Sequence, residues 1–150
     1  MNQSWHPNCS ACTGITYASG LGNSECGTCG DGSEAKPDQT GCNACAAGKF
    51  SAGGADCGAC AGDTYAIGLG NSVCATCDDG STASADKTEC TLCAEDEYST
   101  GGAACEACAA GTARNATDGE CDSCRPGRFS DSGVRCDPCL AGAVADYEGA

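Results

Sequence analysis

The chain has 150 residues, 18 cysteines and a formal net charge of −14 at pH 7. The cysteine density is that of a disulfide scaffold, and the acidity disfavours nucleic acid and anionic membranes as partners. The hydrophobic fraction of 41% is mostly Ala and Cys; only 17 residues are large and apolar or aromatic, and they are scattered singly. An ordinary core is therefore excluded. Ordering each backbone residue costs about 1–2 kcal/mol, and burial at about 25 cal/mol per Å² from so few side chains does not offset it without cross-links.

Residues 1–8 read as an N-terminal arm. Met1-Asn2-Gln3-Ser4-Trp5-His6-Pro7 lacks the apolar stretch of a signal peptide. Cysteines in this number call for an oxidising compartment, so the signal is expected to have been removed or to belong to a longer chain. His6 has no partner set for catalysis. Asn2-Gln3-Ser4 and Asn8-Cys9-Ser10 are glycosylation sequons.

From Cys9 onward the chain is a repeat. All 18 cysteines fall in nine Cys-x-x-Cys pairs, from Cys9/Cys12 to Cys136/Cys139, and the gaps between pairs are 13, 12 or 11 residues long. Calling the units with these gaps A, B and C, their order is A B C, A B C, B C, then an unfinished ninth unit. Residues 9–56 form one A B C repeat and residues 57–104 the next, matching at about 28 positions. Gly20-Leu21-Gly22-Asn23-Ser24 recurs, for example, as Gly68-Leu69-Gly70-Asn71-Ser72. Residues 105–139 hold B and C alone, with one A unit missing before them. Residues 140–150 are a C-terminal tail, in which no membrane anchor is visible, and no run in the chain approaches the length of a membrane span.

Each unit has a readable grammar. An aromatic stands five residues after the second cysteine in A and C units (Tyr17, Phe50, Tyr65, Tyr98, Phe129), whereas B units carry Glu34, Thr82 and Ala113 there. A glycine-rich turn follows, as at Gly53-Gly54 and Gly101-Gly102, where glycine tolerates positive φ. Between turn and cysteines there is room only for strands of two to four residues, and no helical periodicity is present. The expected fold is a small disulfide-rich all-β or irregular ladder of about nine units. In it each aromatic covers a neighbouring disulfide and each unit touches only its neighbours.

Two Cys-x-x-Cys pairs at this spacing also match a Cys₄ zinc site, but nine pairs would leave one over and the basic surface of zinc ribbons is missing. A redox role requires a thioredoxin-like context, and none is visible. The acids Asp78, Asp79, Asp86, Glu89, Glu95, Asp96, Glu97 and Glu106 face one cation, Lys87, in that stretch. Their spacing is not that of an EF-hand, so they read as a solvated surface. Nothing resembles paired acid and base in one pocket; no enzyme activity and no cofactor are expected. The third sequon, Asn115-Ala116-Thr117, lies in a turn and is the best glycosylation candidate of the three.

Two disulfide schemes fit the spacing. The first is serial: Cys12–Cys26, Cys29–Cys42, Cys45–Cys57, Cys60–Cys74, Cys77–Cys90, Cys93–Cys105, Cys108–Cys121 and Cys124–Cys136. Each bond closes a loop of about 15 residues, worth about 3 kcal/mol. The alternative joins first to first and second to second cysteines of adjacent pairs, as in Cys9–Cys26 with Cys12–Cys29, and strands a whole pair. The serial scheme is the expected one. It leaves Cys9 and Cys139 over, either to bond between copies or to meet missing neighbours in a longer polypeptide.

The run Cys121-Asp122-Ser123-Cys124-Arg125-Pro126-Gly127-Arg128-Phe129-Ser130 and its counterpart Cys42 to Ser51 resemble the cysteine-rich repeats of ephrin-receptor-like proteins. These belong with the tumour-necrosis-factor-receptor and growth-factor-receptor modules. The array also looks like surface proteins of protists and algae, such as ciliate immobilisation antigens and flagellar-hair proteins. The resemblance implies extracellular or cell-surface display, disulfides and glycans, and it carries over no catalytic residue. The uniform Ala/Gly/Ser/Thr spacers and strict period depart from animal receptors. The expectation is a structural subunit of an extracellular filament, coat or flagellar hair that self-assembles into a homopolymer. The alternative is a ligand-binding receptor ectodomain.

Overall fold

The structure, a computed structural model, describes residues 9–145. Among them there is no helix and there are sixteen short strands, joined in eight antiparallel pairs. The pairs are β1 (Thr16–Tyr17) with β2 (Gly27–Thr28), β3 (Ser33–Ala35) with β4 (Cys42–Ala44), β5 (Lys49–Phe50) with β6 (Gly58–Ala59), and β7 (Thr64–Tyr65) with β8 (Ala75–Thr76). The others are β9 (Ser81–Ala83) with β10 (Cys90–Leu92), β11 (Glu97–Tyr98) with β12 (Glu106–Ala107), β13 (Thr112–Arg114) with β14 (Cys121–Ser123), and β15 (Arg128–Phe129) with β16 (Asp137–Pro138). The two residues inside each Cys-x-x-Cys from Cys26 onward lie in the returning strand. The second cysteine then carries the chain into the next hairpin.

Eight disulfides run serially, one per hairpin: Cys12–Cys26, Cys29–Cys42, Cys45–Cys57, Cys60–Cys74, Cys77–Cys90, Cys93–Cys105, Cys108–Cys121 and Cys124–Cys136. These loops define units 1 to 8. A two-residue strand pair has too few ladder bonds to persist alone in water, and the disulfide closes the hairpin that the ladder cannot hold.

The core is made of cysteines and small residues. The buried apolar side chains are chiefly the second cysteines, Cys29, Cys45, Cys60, Cys77, Cys93, Cys108 and Cys124, together with Ala66, Ala113 and Ala145. Among them run the buried glycines and the buried Ser51, Ser81, Ser99 and Ser130. The aromatics stay outside this spine: Tyr17, Phe50, Tyr65 and Tyr98 are half-buried and Phe129 is exposed. Each ring belongs to the residue paired across the hairpin with the one that follows the first cysteine, as in Tyr17 with Gly27 and Phe50 with Gly58. The rings thus roof the hairpins, and the sulfurs, small enough to converge on a narrow axis, fill the middle.

The hydrogen bonds between units repeat with the sequence. Gly32 N–H donates to Ser51 O at 2.8 Å and Cys45 N–H donates to Gly32 O at 2.8 Å; one repeat later Gly80 N–H donates to Ser99 O at 2.7 Å and Cys93 N–H to Gly80 O at 3.0 Å. The buried Ser51 hydroxyl lies 3.0 Å from Ser33 O and 2.6 Å from Ala55 O, and Ser99 sits 2.9 Å from Ser81 O and 2.8 Å from Ala103 O. Asp31 and Asp79 each accept the amide of the next unit's turn glycine, Gly53 or Gly101, at 2.6 Å. The acid of the Asp-Gly-Ser motif is therefore a turn cap.

Units also reach past their immediate neighbours, against expectation. Gly32 of unit 2 packs on the Gly70 backbone of unit 4, and Gly48 of unit 3 on Asp86 O of unit 5. A methyl on Gly102 of unit 6 would stand 3.1 Å from Asp63 O of unit 4, and one on Gly133 of unit 8 would stand 3.3 Å from Asp96 O of unit 6. Chain segments come this close only where a Cβ is absent. From unit 2 onward the winding is tight enough that a unit meets both the next and the next but one.

Candidate functional site

Three places depart from the regular ladder: its two ends and the junction where the A unit is missing. At the N-terminal end Cys9 is exposed and free, and at the C-terminal end Cys139 is half-buried and free. Cys139 has the environment of a second cysteine. Its amide donates to Gly127 O at 3.0 Å and Gly127 N–H donates to Ala145 O at 2.6 Å; Cys60, Gly48 and Ala66 form the same pair of bonds, each at 2.8 Å. Residues 139–145 thus begin a ninth unit in the geometry of the fourth.

The junction between units 6 and 7 is the one place among units 1 to 8 where B follows C. In the complete repeat, unit 4 lays its Gly-Leu-Gly-Asn-Ser loop back on unit 3. Gly70 N–H donates to Cys45 O at 2.8 Å and Ser51 N–H donates to Asn71 O at 3.1 Å. The loop is held by its own asparagine, since Asn71 Nδ2 donates to Ile67 O at 3.0 Å, as Asn23 Nδ2 does to Ser19 O at 3.0 Å in unit 1. After unit 6 no such loop exists. Arg114 takes its place: Nη1 lies 3.5 Å from Cys93 O and 3.2 Å from Ala94 O, and Nη2 lies 3.4 Å from Gly80 O. Cys93 O is the counterpart of Cys45 O, so a guanidinium substitutes for the Gly70 amide. Leu92, the counterpart of the Ala44 that Gly70 overlies, is left 78% exposed.

Sequence reasoning missed Arg114, although a signal was present. The two other B units carry Ala35 and Ala83 at this position, and the arginine occurs only where the loop is missing. Charged hydrogen bonds of this kind contribute about 1.5–3 kcal/mol. Arg114→Ala is expected to lower stability by about 2 kcal/mol, whereas Arg125→Ala, on an exposed residue, should change it by less than about 0.5 kcal/mol. Denaturant midpoints with hydrogen exchange at residues 93–96 measure this. Equal midpoints for the two variants would remove the bridging role.

A groove of about 350 Å³ lies at the same junction, lined by Tyr98, Ala107, Ala109, Thr112 and Glu120 among others. The Tyr98 hydroxyl donates to Glu106 Oε2 at 3.1 Å, and this carboxylate raises the phenol above its ordinary pKa. Elsewhere the acids serve turns. Asp38 is held below the usual carboxylate range chiefly by the Thr40 hydroxyl, and Asp86 by the hydroxyls of Ser84 and then Thr88. The stability these bonds give is present above the ordinary aspartate range and is lost as pH falls through the depressed values.

Of the sequons, Asn115 lies half-buried in the unit 7 turn. Its Nδ2 is 3.2 Å from Asp118 Oδ2 and 2.9 Å from Asp122 Oδ2, while its Oδ1 accepts Thr117 N–H at 2.9 Å. Asn2, Asn8 and His6 lie outside the described residues. Among the described residues no group of three or more His, Cys, Asp or Glu is placed to hold a metal ion. Arg128 Nη1 donates to Cys136 O at 2.8 Å and Arg135 pairs with Asp137 at 2.9 Å, both on the surface.

No family model matches this sequence, and no curated protein matches it. The fold therefore stands on its own geometry: a disulfide-rich array of repeats, as suits an extracellular structural or binding domain. No helix of the described residues is long and apolar enough to cross a membrane.

Proposed function

We propose that this chain is a structural subunit of an extracellular filament, coat or hair-like assembly, and that it acts without catalysis or cofactor. The carrying observation is the unbroken serial stapling of near-identical hairpins, in which Cys139 already has the hydrogen-bonded setting of a second cysteine and both it and Cys9 are free thiols. A Cys139-to-Cys9 bond between copies continues the serial pattern. Such a head-to-tail contact does not close on itself, and it yields an open filament. The resemblance to cysteine-rich surface-protein repeats supports extracellular display, with glycans at Asn115 and in the N-terminal arm.

Non-reducing electrophoresis of this chain is the test. Covalent oligomers are expected that collapse to one band on reduction, and Cys9→Ser or Cys139→Ser should each cut the ladder to monomers. Oligomers that persist in the double variant, or monomers throughout at high concentration, would sink the homopolymer. A second reading, a ligand-binding receptor ectodomain, is favoured by the Tyr98 groove. Dispersed particles by electron microscopy, with a partner bound there, would support it.

A further inference from the structure

The positions around the groove at the break in the repeat have sequence counterparts at the junction of units 3 and 4, where the unit 4 loop lies instead. There Phe50, Gly58 and Val73 stand at the positions of Tyr98, Glu106 and Glu120, while Ala59, Ala61 and Thr64 match Ala107, Ala109 and Thr112. The small residues are alike. Among the lining residues Tyr98, Thr100 and Glu120 stand where the earlier junction has Phe50, Ala52 and Val73, and Glu106, bonded to Tyr98, stands where it has Gly58; each change is from an apolar or absent side chain to a polar one. Glu106 forms no turn cap; its carboxylate accepts from the Tyr98 hydroxyl at 3.1 Å across the β11–β12 hairpin. Glu120 lines the groove and is exposed. The nearest arginine in the unit, Arg114, has its guanidinium directed at the carbonyls of Gly80, Cys93 and Ala94. No lining residue is cationic.

From this we propose that the groove at the unit 6–unit 7 junction binds an arginine or lysine side chain presented by a basic segment of a partner protein. The aliphatic stem would lie along Ala107 and Ala109. The charged head would meet the Tyr98 ring, where a cation gains attraction from the π face, and the Glu106 and Glu120 carboxylates. Charge complementarity favours a basic partner segment in this groove, since a second copy would bring the same net charge of −14 to it. Of this chain's seven cations, Lys87 is bonded to Gly62 O, Arg128 to Cys136 O, Arg135 to Asp137 and Arg114 to the carbonyls named above, so Lys36, Lys49 and Arg125 are the ones a second copy could present. The inference does not require that the chain polymerise.

The test uses a capped tetra-arginine peptide and calorimetry on the intact 150-residue chain. Wild type should bind it saturably at one site, more weakly as salt rises. The pair Glu106→Gly with Glu120→Val introduces residues that the fold already holds at 58 and 73, so it should fold, with its disulfides verified by mass. It should weaken binding at least fivefold, and Tyr98→Leu likewise. Asp131→Asn, an acid outside the groove, should change it less than twofold. Three results would each overturn the proposal: no saturable binding, equal weakening by Asp131→Asn, or groove variants within twofold of wild type. A fourth would reassign the occupant and so overturn it as well: self-association of the chain through this groove, abolished by Lys36→Ala, Lys49→Ala or Arg125→Ala.

Discussion

Removing the disulfide in the middle of the array, by Cys45→Ala with Cys57→Ser, is expected to cost about 3 kcal/mol in loop entropy alone. Burial adds to this. Cys45 is 1% exposed and sits among the glycines and serines of the spine, so the alanine leaves a void where the sulfur was. Its backbone is also the seat of the neighbouring units, since Cys45 O accepts from Gly70 N–H and Cys45 N–H donates to Gly32 O, each at 2.8 Å. Loosening it frees units 2, 3 and 4 together. The matched loss at the end, Cys12→Ser with Cys26→Ser, removes a bond between a half-buried and an exposed cysteine. That loss should open unit 1 and leave the rest intact. Denaturation midpoints with residue-level hydrogen exchange decide the matter. If the central variant loses protection only between residues 45 and 57, unit 3 is not coupled to units 2 and 4.

What was legible from the sequence was the ladder, because its information is local. Nine Cys-x-x-Cys pairs at gaps of 13, 12 and 11 residues fix where hairpins begin and end, and the glycines fix the turns. Which small side chains fill the middle was not legible, because it depends on how closely the segments approach. A phenyl ring is too large for an axis where segments from alternate units nearly touch, so Phe50 roofs its hairpin while Cys45 and Ser51 go inside. The contacts between alternate units depend on the pitch of the winding, which no spacing states. The same holds for Gln39 and Lys87. They adopt φ of 58° and 61° although neither is glycine, because their carbonyls must turn to accept Ala18 N–H and Ala66 N–H, both at 2.9 Å. Unit 7 has an altered turn, and its left-handed residue falls on Gly119 instead.

The same tight winding makes Gly32→Ala an expected near-loss of the native state, while Gly20→Ala should be mild. Both glycines have almost the same φ, 74° and 75°, so the backbone cost of an L-residue in the left-handed region, about 1 kcal/mol, is common to the two. What separates them is space. A methyl on Gly20 meets nothing within 4 Å, whereas one on Gly32 runs into the Gly70 carbonyl of unit 4. Relief by a backbone shift is blocked, because Gly32 N–H is bound to Ser51 O and Gly32 O to Cys45 N–H. Overpacking of this kind costs about 1–3 kcal/mol in a core that can yield, and here the obstacle is main chain pinned from both sides. The total for Gly32→Ala should reach about 3–5 kcal/mol. Gly54→Ala, directed at Cys29 O, should behave as Gly32→Ala does. Equilibrium unfolding of the three variants with disulfides intact provides the comparison. A Gly32→Ala chain as stable as Gly20→Ala would mean that units 2 and 4 do not touch, and that the array is wound more openly than a contact between alternate units requires.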